Sequence, residues 1–519
     1  MSEYGFWNCA KRNPDRTVVI ETESGNQIKA GQLASASHRL VHALRGMGLQ
    51  SGDVVATVLP NCTAMLEVYL AAFQAGFYLV PINHHLTMPE IAYIVSDCGA
   101  KVLVGHREFA DAIIGAADEA GLDADMRVAV GEVEGFRCYD ELKADQSDAE
   151  PDGRTAGQVM NYTSGTTGRP KGVRRGLTGA DPDLMGAMYA MFLSMFGIQP
   201  EDDNVHLCGS PLYHTAVLMF TAGSLHYGHT VALMERWKPE DCLRVIESCK
   251  VTTSHMVPTQ FHRMLALPED VKSRYDMSSL RCMIHAAAPC PVEVKKRMIE
   301  WWGQTIFEYY AASEGGGTLV PPAEWQQYPG TVGRAWPGSD IKIFDDDGDD
   351  HECESDEKGT VYMLLGSNDF RYHNDDGKTE DNRRDGYFTV GDIGYLNSEG
   401  YLFLCDRKAD MIISGGVNIY PAEIESVLLT HPRIADAAVF GIPHEDWGEE
   451  VKAVIQAADG QEADQTLCDD IQAFCEDKLA KYKRPRTIDF IEDMPRDPNG
   501  KLYKRKLRDP YWEGHARAI

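Results

Sequence analysis

Between Thr163 and Lys171 the chain reads Thr-Ser-Gly-Thr-Thr-Gly-Arg-Pro-Lys, a run of hydroxyls, glycines and two cations behind the short apolar pair Val159-Met160. Such a segment suits an anion such as a nucleotide phosphate; the alternative is a flexible surface loop rich in Ser, Thr and Gly. Glycines let backbone N–H groups approach it, hydroxyls donate hydrogen bonds, and the lysine and arginine supply charge. The spacing is not that of the common P-loop, which needs four residues before its Gly-Lys-[Ser/Thr] end. Here two residues separate Gly165 from Gly168, and Gly172 follows Lys171. P-loop kinases and NTPases are therefore disfavoured.

Any anion site must be local, because the chain is acidic. Its 519 residues carry a net charge of −29, which argues against a nucleic-acid partner and against electrostatic docking on anionic membranes. The 13 cysteines include no CxxC pair and no Cys/His cluster at zinc spacing. Reduced thiols in a cytoplasmic protein are the expectation. Neither a signal peptide nor a transmembrane segment is expected: the longest apolar stretch, residues 64 to 82, is interrupted by Glu67 and Gln74. A homodimer stays open.

The elements that would position the loop alternate. Residues 18–20, 54–59 and 102–104 read as strands, and residues 33–47, 63–75 and 89–95 as helices. This alternation predicts βαβ units and a mostly parallel sheet. It resumes after the loop with strands at 205–208, 230–233, 253–256 and 282–284, and with helices opening near Pro239, Pro258 and Pro291, where a first turn tolerates proline. Residues 330–405 turn Gly- and Asp-rich with short β runs. Their run Asp345–Asp350 lacks the spaced ligands of an EF-hand and reads as a solvated hairpin tip. A last unit has strands at 437–440 and 451–455, a helix over 464–478 and a basic tail. The expected fold is α/β: a large N-terminal domain (1–408) of two related sheet units plus a small β-rich unit, then a small mobile α+β C-terminal domain (409–519).

Five motifs recur in a telling order: Tyr162 to Gly172 (YTSGTTGRPKG), Tyr310-Ala311-Ala312-Ser313-Glu314, Val390-Gly391-Asp392, Asp406-Arg407 with Gly415-Gly416, and Asn499-Gly500-Lys501. In order and separation they resemble the adenylate-forming (AMP-binding) superfamily, and within it acyl-CoA synthetases, over essentially the whole chain. The resemblance implies that Thr163, Ser164, Gly165, Thr166, Thr167, Gly168 and Lys171 hold ATP phosphates. It further implies that Glu314 binds Mg²⁺, that Ser313 lies beside the α-phosphate, and that Tyr310 and Ala311 meet the adenine. Asp392 and Arg407 would bind the ribose, and the small-residue turn at Ala287-Ala288 would face adenine and acyl carbonyl. Lys501 is the implied mobile cation of adenylation, delivered by rotation about Lys408-Ala409-Asp410. Ser414, Gly415 and Gly416, with Arg174, Arg175, Lys481, Lys483 and Arg484, are implied partners of CoA. Tyr213, His214, His255, Val257, Thr259, Gly315 and Gly316 are candidates for the acyl pocket, with His214 bordering the thiol path. Three positions depart from the family pattern: Val390 stands where threonine is usual, Ala311 where glycine is, and Ala409 where Asp or Lys is commoner.

The chemistry agrees with this reading. A carboxylic acid with a pKa of about 4 is already ionised at neutral pH and needs no base. Its difficulty is to approach a polyanion, so catalysis is positioning and charge neutralisation. The mixed anhydride is then open to a thiol whose pKa of about 8.5 leaves some thiolate. The expected partners are ATP, CoA and a small non-amino carboxylic acid, since the segment around His214 lacks an aspartate for an α-ammonium. A medium- or long-chain fatty acid or a bulky ring or steroid-side-chain acid is the expected substrate. Rival readings are an acyl-AMP ligase loading a carrier protein, a luciferase-like oxygenase and a catalytically silent nucleotide-binding regulator.

Overall fold

The computed structural model describes residues 3–163, 170–312, 314–345, 351–365, 370–374, 376–496 and 502–513. The chain divides into two compact units, the first made of residues 1–256, 267–284 and 369–381, the second of 257–266, 285–368 and 382–519.

The first unit contains the predicted βαβ alternation. Six strands form one sheet in the order Arg137–Cys138, Arg127–Val130, Ala100–His106, Val54–Val58, Tyr78–Pro81 and Gln158–Val159, and every neighbouring pair in it is parallel. Val54–Val58 is buried along its whole length. That is why it reads as an unbroken apolar run instead of an alternating one. Val54, Ala56 and Val58 feed one core while Val55 feeds another on the opposite face. The helix Thr63–Ala75 stops at Gly76, whose φ of 75° closes the last turn without a Cβ penalty. The helix Met88–Asp97 starts in a capping box: the Thr87 N–H donates to Glu90 at 2.7 Å.

A second parallel arrangement joins Thr253–Met256, Val205–Cys208, Thr230–Leu233 and Thr17–Glu21. The strand predicted at 18–20 therefore leaves the first βαβ block and pairs with residues more than 200 positions away, Val19 opposite Val231. The hairpin strand Gln27–Lys29 then covers its outer edge.

In the second unit Ile306–Ala312 and Gly315–Val320 are antiparallel. The Gly- and Asp-rich region becomes an antiparallel sheet built on Ser339–Phe344, Gly359–Leu365, Asp392–Leu396 and Leu402–Arg407. The last hundred residues build their own sheet on Ile434–His444 and Gly448–Ala457. The helices Pro421–Leu428 and Gln465–Glu476 pack on it through Ile424, Leu428, Leu467 and Ile471. Among the described residues no helix is long and apolar enough to cross a membrane.

Candidate active site

Two antiparallel strands flank the Gly/Thr-rich segment. Asn161–Thr163 pairs antiparallel with Lys171–Arg174, placing Lys171 opposite Thr163 and Gly172 opposite Tyr162. A Cβ at Gly172 would stand 3.0 Å from the Tyr162 ring, so the glycine makes room for it. The base of this strand pair is anchored. Tyr162 donates its hydroxyl to Asp97 at 2.6 Å, and burial with that carboxylate pushes the phenol pKa up. Tyr93 donates to the Pro170 carbonyl at 3.3 Å. The strand Arg371–Tyr372 adds a third strand, and the His373 N–H donates to Gly172 O at 2.7 Å. Ser164, Gly165, Thr166, Thr167 and Gly168 lie outside the described residues. At the end of the strand Lys171–Arg174, Arg174 lies over the Tyr78 ring at 4.4 Å, and the Arg175 carbonyl accepts from the Tyr78 hydroxyl at 2.8 Å.

In the second unit three predicted nucleotide ligands meet. Asp392 and Arg407 are cross-strand partners, with Arg407 Nε 3.4 Å from Asp392 Oδ1. Tyr310 donates its hydroxyl to Asp392 Oδ2 at 2.6 Å. Burial and the neighbouring Asp392 carboxylate raise the Tyr310 pKa well above its ordinary value, keeping the phenol a donor. Gly391, with φ of 83°, turns the chain just before Asp392, and its carbonyl accepts from the Lys408 N–H at 2.8 Å. Val390 therefore leaves the carboxylate in place. Glu314 is 7 % exposed and close enough for its charge to be felt by Tyr310. A buried carboxylate is a hard oxygen donor, which fits a Mg²⁺-type cation. Ser313 and Lys501 lie outside the described residues.

Small residues around this set have packing reasons of their own. Ala311 pairs with Gly317, where a Cβ would come 2.4 Å from the Tyr310 carbonyl and 2.6 Å from Trp336. Gly315 and Gly316 have φ of 127° and 71° and carry the turn after Glu314. Ala287 stands at φ 76°, a left-handed conformation costly for any residue with a Cβ. With Ala288 it connects the strand Cys282–His285 to the helix Val292–Trp302.

The acyl-pocket candidates are divided between the units. In the first, Tyr213 and His214 sit at the start of the helix Thr215–His226, their rings 4.4 Å apart. Tyr213 also meets His84 edge-on at 5.2 Å. His255 is buried against Phe220 at 5.1 Å, and burial drops its pKa to about 3. In the second unit Val257 caps the helix Pro258–Leu265, and Thr259 lies in that helix's first turn.

The C-terminal candidates resolve into distinct roles. Ser414 ends the strand Ile412–Ser414. Gly415 and Gly416, with φ of 58° and 78°, make the two-residue turn into Val417–Ile419; positive φ at both central positions is what a tight hairpin requires. Lys483 pairs with Glu423 at 2.6 Å. Arg484 donates to the carbonyl of Glu476, the last residue of the helix Gln465–Glu476, and to that of Leu479 just past it. Those two cations already have partners within the unit, whereas Lys481 is exposed. Lys408–Asp410 forms a short 3₁₀ turn, gripped by Arg508, which donates to the Ala409 carbonyl at 3.3 Å and lies 3.4 Å from Asp410.

Two features escaped sequence reasoning. Asp97, an ordinary surface-type aspartate in sequence, anchors the strand Asn161–Thr163 through Tyr162. Trp447 stacks on His444 at 4.3 Å and carries Arg486 over its ring at 3.3 Å. The Trp447 carbonyl also accepts from the Gly415 N–H at 2.9 Å. The Trp447-Gly448 pair was the available signal.

Parallel βαβ sheets, a Tyr–Asp–Arg cluster and a C-terminal lobe with its own core fit an ATP-dependent acid–thiol ligase. The comparisons with known proteins agree. The model of the AMP-binding enzyme family matches residues 6–365, and that of the AMP-binding enzyme C-terminal domain matches residues 423–501; the chain belongs to this family. It is 31 % identical to the fatty acid–[acyl-carrier-protein] ligase ScoC of Streptomyces coeruleorubidus, over 98 % of this chain and 96 % of that one. It is 32 % identical to the long-chain-fatty-acid–CoA ligase FadD13 of Mycobacterium tuberculosis, over 96 % of each. Among solved structures it is similar to o-succinylbenzoate CoA synthetase (MenE) from Bacillus subtilis in complex with the acyl-adenylate intermediate, with a TM-score of 0.79, 28 % identity and coverage of 97 % and 98 %.

Proposed function

We propose that this ligase activates a non-amino carboxylic acid with ATP to an acyl-adenylate, releasing pyrophosphate, and passes the acyl group to the thiol of CoA, releasing AMP. The observation that carries the reading is Asp392. It accepts from Tyr310 at 2.6 Å and faces Arg407 at 3.4 Å. A carboxylate fixed this way can accept from two vicinal ribose hydroxyls.

In this reading Thr163, the loop to Gly168 and Lys171 hold the β- and γ-phosphates, and Tyr310, Ala311 and the Ala287-Ala288 turn receive the adenine. Glu314 would hold Mg²⁺, which supplies neutralisation of phosphate charge. Lys501 brings a cation to the α-phosphate as the acid attacks, and residues 409–519 then rotate about Lys408–Asp410 to withdraw it. Ser414, Gly415, Gly416, Arg174, Arg175 and Lys481 serve the CoA side, and His214 borders the acyl carbonyl. The acid is a medium- or long-chain fatty acid or a bulky ring acid, a range supported by relatives named for long-chain fatty acids and for o-succinylbenzoate.

Pyrophosphate release across acids from acetate to long-chain, aryl and steroid-side-chain acids tests the first step. Chromatographic detection of acyl-CoA tests the second. Lys501→Ala abolishes adenylate formation while largely sparing CoA attack on supplied adenylate; equal loss of both steps refutes the division of labour. The likeness to ScoC favours a second reading, transfer to a carrier-protein thiol. Pyrophosphate release without acyl-CoA from free CoA decides for it.

A further inference from the structure

The loop joining Ser339–Phe344 to Gly359–Leu365 takes no part in the reaction above. Its return arm is held in register. The Cys353 N–H donates to the Ile343 carbonyl at 2.9 Å, the Asp345 N–H to His351 at 3.0 Å, and Glu352 bridges to Phe344. Alternate side chains of extended backbone share a face. His351 and Cys353 thus point one way, while Glu352 leaves on the other and pairs with Lys342 at 2.7 Å. A tight turn, with the Glu357 N–H donating to the Glu354 carbonyl at 3.1 Å, brings Glu357 back over that face. His351 Nε2 lies 3.2 Å from Glu357 Oε1. One ligand atom each from His351, Cys353 and Glu357 lies within 4.8 Å of the other two.

We propose that His351, Cys353 and Glu357 form a binding site for a divalent transition metal of the Zn²⁺ type. The donor set is one imidazole nitrogen, one thiol sulfur and one carboxylate oxygen. Mg²⁺ and Ca²⁺ prefer oxygen alone, whereas Zn²⁺ accepts all three and takes water or a fourth ligand in the remaining position. A second observation points the same way. The other ring nitrogen of His351 faces Asp345, Nδ1 to Oδ2 at 4.0 Å. At that separation the carboxylate makes no hydrogen bond to the ring, but its negative charge beside the cluster favours a cation there. Gly359 lies beside the thiol: a Cβ there would meet the Phe344 carbonyl at 2.4 Å and Cys353 Sγ at 2.8 Å. Binding displaces the thiol proton to solvent and changes no oxidation state.

The test uses the full chain, stripped with chelator and titrated with Zn²⁺ or Co²⁺. One equivalent of Zn²⁺ is retained at micromolar concentration, and the Co²⁺ form shows thiolate-to-metal charge-transfer absorption. Zn²⁺ slows alkylation of Cys353, read by peptide mass spectrometry against the other cysteines. Cys353→Ser removes the absorption band, and His351→Ala and Glu357→Gln each weaken binding by about tenfold or more. With Mg²⁺ present and Zn²⁺ absent, carboxylic-acid-dependent pyrophosphate release by the Cys353→Ser protein stays at the wild-type level, which shows that it folds. A Co²⁺ band that survives Cys353→Ser, alkylation of Cys353 unchanged by Zn²⁺, or binding only at millimolar metal overturns the proposal.

Discussion

Acid should unfold this enzyme through three histidines of the first unit. His206, His226 and His255 are 2 % exposed or less, and burial lowers each pKa to about 3, with neighbouring His255 and His229 adding to the effect at His206. The wiring of His226 favours the neutral ring. The Phe6 N–H donates to its Nδ1 at 3.3 Å, so the ring proton sits on Nε2, 3.0 Å from the Tyr69 oxygen. A second proton would set N–H against N–H. In the unfolded chain these rings titrate near 6.5. The unfolded state therefore takes up protons first as pH falls, and stability, complete above about 6.5, declines toward 3 by about 1.4 kcal/mol per pH unit per histidine. At pH 5 that is about 2 kcal/mol each and about 6 kcal/mol for the three, comparable with the whole stability of an ordinary domain. Buried Asp183, whose pKa is raised by burial, acts in the opposite sense, so a single pH series is not diagnostic. Urea unfolding followed by near-UV circular dichroism from pH 7.5 to 5 should be run on wild type and on His255→Asn. The variant should lose about 1.4 kcal/mol per pH unit less than wild type below pH 6. Identical slopes in the two proteins would refute the reasoning.

Three further outcomes follow from the site. Asp392→Asn removes a charge that accepts from Tyr310, and with a charge-assisted hydrogen bond contributing about 1.5–3 kcal/mol the KM for ATP in pyrophosphate release should rise about tenfold or more; an unchanged KM would count against the ribose assignment. Ala287→Gly relieves a residue at φ 76° and should raise stability by about 0.5–1 kcal/mol after the unfolded-state entropy is offset. A lowered thermal midpoint would contradict that conformational account. Gly317→Ala drives a methyl to 2.4 Å from the Tyr310 carbonyl and should cost about 1–3 kcal/mol while weakening ATP binding, so wild-type behaviour in both measurements would dismiss the packing argument.

Local physics made much of the fold legible. The helix over 63–75 has the same bounds in sequence and structure because its apolar spacing ends at a glycine able to take positive φ. The strand at 54–58 announced itself as a buried run. Pairing was less visible. No periodicity in residues 17–21 says that Val19 will lie beside Val231, since that choice depends on which sheet edge is open. At the candidate site the motif order picked out Asp392 and Arg407, and strand register places them side by side. The hydrogen bond from Tyr310 to Asp392 was not legible, because a tyrosine in a motif gives the ring and not the direction of its hydroxyl. Charge pattern was similarly silent about Lys483 and Arg484, which look alike in sequence yet engage a carboxylate and helix-end carbonyls.

Arg508 holds the 408–410 turn through the carbonyl of Ala409 and the carboxylate of Asp410. A grip on a carbonyl does not read the substituent at Cβ, so it is compatible with the alanine at position 409. It also makes the two ends of the lobe interdependent. A deletion that removes Arg508, although about a hundred positions downstream, would act at residue 409 as directly as a substitution there.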